Sequence, residues 1–199
     1  MKRTSVLIIL IFTISGLFIF GDECAGQTAE EPVLLTSCGQ SPGPVRLKIF
    51  MQRLEMDFEY NLLATVEDIT TAKEEGKPFK TLIIVTGASL KGMGAAGVSI
   101  DDEIARTEAL ISEAKKQGIK VVGSHIEGMS RRSQGAAAGD TSDEQSIDAV
   151  CPKSDFMIVK KEGDSDGRFT TISKGNDIPL VLFEMNTEIS DVLKKVFNK

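Results

Sequence analysis

The sequence predicts an α/β domain, a three-layer α/β/α sandwich with a mainly parallel sheet of five or six strands. Two observations carry that reading. Short apolar runs alternate with amphipathic helical stretches along the chain, and continuous apolar strands joined by helices make a parallel sheet buried on both faces. The loops after the first and third runs are alike, TSCGQSPG and TGASLKG. A flavodoxin-like strand order sets those two strands side by side at the switch point, where ligand sites form. A Rossmann-like order, the alternative, separates them.

The elements follow in order. Val33 to Thr36 is a short buried strand, stopped by the turn formers SCGQSPGP. Pro44 suits the first turn of a helix that carries Val45, Ile49, Met51 and Leu54. Phe58 to Thr65 reads as a second strand. Val66 to Glu75 reads as a helix, ended by Gly76 and Pro78. Leu82 to Val85 is the central strand, followed by a glycine-rich loop to Gly97. Ser99 and Asp102 form a capping pair for a helix that Gly118 ends. Ile119 to His125 is a strand, and Glu127 to Asp140 a polar loop. Thr141 and Glu144 cap a helix to Val150. Phe156 to Lys160 is a strand, Phe169 to Lys174 a short helix, Pro179 to Phe183 a strand and Glu188 to Phe197 a closing helix.

Before this domain lies a segment with the features of a secretion signal. Lys2 and Arg3 precede an apolar stretch from Val6 to Phe20, and Ala25 and Gly26 offer a cleavage site. The expected organisation is a signal peptide at 1–26 and one α/β domain at 27–199, with export as the expected localisation. An uncleaved anchor is the competing reading, although the run is short for a membrane span. Gly21-Asp22-Glu23 before Cys24 makes a poor lipidation box. Cys38 and Cys151 fall at opposite ends of their strands, which argues against a disulfide between them.

Composition excludes some functions. The formal charge of −6 disfavours a nucleic-acid partner. There is no Trp and one Tyr, so aromatic cages and stacking platforms are poorly supplied. Gly92-Met93-Gly94-Ala95-Ala96-Gly97 spells G-x-G-x-x-G, but it begins well after the strand end and follows the third strand. Dinucleotide binding therefore has no support, and no cofactor is implied. Met93 stands where a phosphate loop needs lysine.

The candidate ligand site gathers loops that leave one edge of the sheet: Ser37, Gly39 and Gln40 after the first strand, and Gly87, Ser89, Lys91, Gly92 and Gly94 after the third. His125 is the single histidine and stands at a strand end, where it can serve as base, ligand or hydrogen-bond donor. Arg131 and Arg132 supply planar guanidinium forks for a carboxylate or phosphate. Asp101, Asp102 and Glu103 would repel an anion from the helix start, leaving the loop amides and Lys91 to hold it. Asp164-Ser165-Asp166-Gly167 has the alternation of a calcium loop, but Arg168 opposes a cation, so Asp164 and Asp166 form a weak metal alternative. Cys38 lacks a local histidine that would make it a nucleophile.

Four segments taken together carry a resemblance: EPVLLTS-GQSPG, KTLIIVTGASLKGMGAAG, HIEG-SRR and DFMIVKKEGDSDGRFT. From Glu31 to Phe197 the chain resembles an uncharacterised family of exported bacterial proteins, a domain of unknown function. The resemblance implies export and a flavodoxin-like or Rossmann-like three-layer fold. It implies no activity and transfers no catalytic residues. Position 38 in that pattern is a small residue such as alanine, from which Cys38 departs. The expected function is binding of a small anionic ligand. The alternatives are a hydrolase or transferase using His125 as base, and a partner-binding module for a membrane protein.

Overall fold

The computed structural model describes residues 28–132, 139 and 141–199. The expected signal peptide at 1–26, and residues 133–138 and 140 of the predicted polar loop, lie outside the described residues.

Six strands, β1 (Val33–Cys38), β2 (Phe58–Tyr60), β3 (Thr81–Thr86), β4 (Lys120–His125), β5 (Phe156–Lys160) and β6 (Leu180–Phe183), form one sheet in the order β2-β1-β3-β4-β5-β6. Every pairing is parallel. This is the flavodoxin-like order extended by one strand, not the Rossmann-like alternative. It places β1 beside β3, so the two similar loops leave the sheet together.

Alternation along each strand splits the core in two. Val33 and Leu35 of β1 join Ile83 and Val85 of β3 on one face. There they pack under Leu47 and Met51 of α1 (Gly43–Arg53) and Leu193 and Val196 of α7 (Ile189–Phe197). Leu34 and Cys38 join Leu82 and Ile84 on the other face, under Ile69 of α2 (Val66–Glu74) and Leu110 and Ala114 of α4 (Ile100–Lys116). The same helical layer continues over β5. There Ile147 of α5 (Ser142–Val150) and Phe169 and Ile172 of α6 (Arg168–Asn176) cover Met157 and Val159.

The predicted caps close these helices. Ser99 Oγ accepts the Asp102 N–H at 3.1 Å, while Asp102 Oδ2 accepts the Ser99 N–H at 2.9 Å. Thr141 Oγ1 accepts the Glu144 N–H at 3.4 Å.

Three predicted elements change. The glycine-rich stretch is largely helical: α3 spans Leu90–Ala96 and ends at Gly97, whose φ is 71°. Ser89 starts it by accepting the Gly92 N–H at 3.1 Å, so a side-chain cap overrides the low helix propensity of Gly92 and Gly94. The second strand stops at Tyr60 rather than Thr65, because Asn61 turns the chain. Its side-chain oxygen accepts the Leu63 N–H at 3.1 Å, and its amide donates to Asp68 at 3.0 Å. The helix expected from Phe169 to Lys174 extends over Arg168–Asn176. Cys38 and Cys151 are both buried and unpaired.

Candidate functional site

The loops after β1 and β3 meet at the C-terminal edge of the sheet. Gln40 and Ala88 form an antiparallel bridge, and the Ser89 N–H donates to the Gly39 carbonyl at 2.7 Å. The approach is close enough to require glycine. A Cβ on Gly39, at φ 102°, would lie 2.6 Å from the Gly87 carbonyl oxygen.

Such a corner is built like an anion cradle, but the chain's own side chains occupy it. The Gly39 N–H donates to Glu103 Oε2 at 2.8 Å. The Gly43 N–H, at the start of α1, donates to Glu127 Oε2 at 3.0 Å. The Gly87 N–H donates to Ser146 Oγ at 2.9 Å and the Ala88 N–H to Asp143 Oδ1 at 2.6 Å. Three carboxylates thus stand where an incoming phosphate or carboxylate would accept. Burial pushes the Asp143 carboxyl above the usual carboxylate range.

The expected site residues separate into four groups, the last being Arg131 alone. Ser37, Gly39, Gln40, Gly87 and Ser89 converge on the corner. Ser37 Oγ accepts the Gln40 N–H at 3.1 Å, and the Gln40 side chain donates to Glu103 at 3.0 Å and to the Leu62 carbonyl at 3.1 Å. Lys91, Gly92 and Gly94 ride on α3, with Lys91 and Gly94 exposed. His125 and Arg132 lie beneath the surface.

His125 is fully buried. Its Nε2–H donates to the Gly128 carbonyl at 3.0 Å, since a carbonyl can only accept, which leaves Nδ1 to accept from the Thr86 hydroxyl at 3.0 Å. The ring lies 5.0 Å from the Phe169 ring, and burial holds its pKa down to about 4. A general base needs access to substrate, and this imidazole has none in this conformation.

Arg132 does not face the corner. Its buried guanidinium donates to Glu144 at 2.8 Å, to Asp166 at 2.7 and 3.0 Å, and to the Gly163 carbonyl at 2.7 Å. Arg168 approaches Glu144 at 3.5 Å and also pairs with Asp148. Asp166, half of the weak calcium alternative, is therefore spent on an arginine. Asp164 accepts the Phe169 and Thr170 N–H groups at the start of α6, at 2.7 and 3.0 Å. No group of three or more His, Cys, Asp or Glu able to hold a metal occurs among the described residues.

Arg131 alone of the expected cationic groups reaches the corner. It donates to the Ala88 carbonyl at 2.9 Å and keeps an exposed part. Burial raises the Cys38 thiol to about 12 and raises Cys151 too, so neither presents a thiolate nucleophile.

Sequence reasoning missed Glu103, Glu127, Asp143 and Ser146 as the groups that fill the corner. Glu103 shares its first-turn position with Asp101 and Asp102, so nothing local singles it out.

The chain-wide comparison adds the family. A model described as a domain of unknown function, DUF6305, matches residues 30–197. The chain belongs to the DUF6305 family. No curated protein matches it. Among solved structures, the DUF6305 chain is similar to the crystal structure of a GDP-L-fucose synthetase from Naegleria fowleri, at 8% identity and a TM-score of 0.34. That match covers 80% of this chain and 50% of the synthetase chain, so this chain spans half the length of that enzyme.

Proposed function

We propose that this chain is an exported, non-catalytic recognition module that works by docking a protein partner at the cell envelope. The observation that carries the reading is the self-occupied corner: amides that would hold a small anion are held by Glu103, Glu127, Asp143 and Ser146. Two further features support it. The histidine, both described cysteines and Arg132 are buried, and His125, Cys38 and Arg132 bond to internal partners. Large apolar side chains stand in solvent: Leu90 is 80% exposed, and Val45 and Ile49 lie one turn apart on the outside of α1. Export rests on the Lys2-Arg3 start and the apolar stretch from Val6 to Phe20.

The test is a photocrosslinker placed in turn at Val45, Glu59, Leu90 and Met185, in cells that make the protein. A discrete adduct confined to one face supports docking. No adduct from any position overturns it.

A second reading keeps a small anionic ligand, and one observation favours it. Arg131 and Arg46 approach Glu127 at only 3.8 and 4.0 Å, too long for good hydrogen bonds. Both are partly exposed, and Arg131, while it donates to the Ala88 carbonyl, keeps further N–H groups for an added anion. A thermal-shift screen with phosphates and small carboxylates tests this. A shift of several degrees that Arg131→Ala abolishes supports it, and a flat screen removes it.

A further inference from the structure

We propose that the free edge of β2 is a groove for an extended basic peptide, which adds to the sheet as a seventh strand. The proposal rests on the partner-docking reading and names the surface and the chemistry of the partner.

The backbone comes first. Among the described residues β2 is an edge strand, paired with β1. The Val33 N–H donates to the Asp57 carbonyl at 3.0 Å and the Asn61 N–H to the Leu35 carbonyl at 3.1 Å. Residues 57, 59 and 61 therefore turn their polar groups toward β1. By alternation the N–H and C=O groups of Phe58 and Tyr60 face the opposite way, where the sheet has no further strand among the described residues.

A trough runs along that edge. A cleft of about 630 Å³ is lined by Phe58, Pro78 and Phe79 together with Glu59, Ala72 and Glu75. A second cleft of about 240 Å³ shares those last three residues, so the two adjoin between β2 and α2. The apolar members accept side chains from alternate positions of an added strand.

The sign of the trough selects the occupant. Asp57, Glu59, Glu67, Asp68 and Glu75 line the two clefts, against Lys77 and Lys80. An excess of carboxylates around unpaired backbone groups fits a strand bearing Lys or Arg at alternate positions. A second copy of this chain does not fit, because a symmetric pairing of two β2 edges would bring acid against acid. Charges placed only to protect an edge do not account for the pattern. The longer β6 edge, Leu180–Phe183, carries none.

The experiment titrates the ¹⁵N-labelled full-length chain with a capped heptapeptide of alternating lysine and valine. Two controls are the glutamate–valine counterpart and a basic peptide N-methylated at every second residue. The groove predicts shifts at Phe58–Tyr60 and along α2, with slowed amide exchange at Phe58 and Tyr60. Affinity should fall about tenfold in Glu59→Lys/Glu75→Lys, whose two positions are exposed. It should also fall with added salt and vanish on N-methylation. No binding of the basic peptide at β2, or equal binding of either control, overturns the groove. Photocrosslinks at Val45, Leu90 or Met185 with no peptide binding would sink the groove and leave partner docking standing. Absence of every crosslink would remove partner docking itself.

Discussion

Glu103 Oε2 accepts the Gly39 N–H at 2.8 Å across 64 positions of sequence. The same carboxylate takes the Gln40 side chain at 3.0 Å and is forked by Arg106 at 3.0 Å through both Nε and Nη2. Arg106 in turn donates to the Ser37 carbonyl at 2.6 Å and the Ala64 carbonyl at 2.7 Å. One buried carboxylate thus organises the β1 loop, α4 and the turn after β2.

Removing it should be costly. Glu103→Ala leaves Arg106 and the Gly39 N–H without their acceptor, and breaking a buried pair costs about 3–5 kcal/mol. Urea unfolding of the variant should show a loss of that order. A change of under about 1 kcal/mol would mean that water replaces the carboxylate without penalty.

The buried histidine sets a pH window. His125 has a folded pKa of about 4, below its unfolded value of about 6.5. The unfolded chain therefore takes the proton first. Its contribution is full above about pH 6.5, declines as pH falls and is lost below about pH 4, a difference of about 3 kcal/mol. Stability measured from pH 7 to pH 4 should drop accordingly. His125→Asn should flatten that part of the curve, and an unchanged slope in the variant would contradict the assignment.

Two neighbouring glycines should respond in opposite directions to alanine. In Gly92→Ala the new Cβ would sit 2.2 Å from the Gln40 carbonyl oxygen, a backbone contact that cannot yield without moving α3. In Gly94→Ala nothing lies within 4 Å, so the gain is that of alanine over glycine in a helix, about 0.5–1 kcal/mol. Thermal melts of the pair should move down and up respectively.

The Arg132 cluster separates partners by burial. Arg132→Met leaves the fully buried Glu144 with only the 3.5 Å approach of Arg168 and should cost about 3 kcal/mol. Asp166 is 28% exposed, and the amide oxygen of Asn still accepts from Arg132, so Asp166→Asn should cost about 1 kcal/mol. Equal losses would refute this division.

Thiol chemistry gives a direct check on burial. Cys38 and Cys151 should stay unmodified by a thiol reagent at pH 8 in the native protein and react fully in denaturant, as read by peptide mass spectrometry. Native labelling of Cys38 would show that the β1 loop opens.

Local pattern specifies the sandwich and the capping pairs at Ser99/Asp102 and Thr141/Glu144, and it favours β1 and β3 as neighbours while leaving the Rossmann-like order open. Apolar runs make buried strands and short polar side chains close helix starts, whereas strand order depends on how the helices pack. What fills the meeting point of the β1 and β3 loops is set by packing. Glu103 and Asp143 are ordinary first-turn acids on the linear chain. They become internal acceptors because α4 and α5 pack back across the sheet and deliver them to the Gly39 and Ala88 amides. His125 and Arg132 sit at a strand end and in a loop, where solvent contact is the usual fate, but Phe169 and Glu144 close over them. Burial of a polar group depends on which distant element covers it, and that is a property of packing that local spacing does not encode.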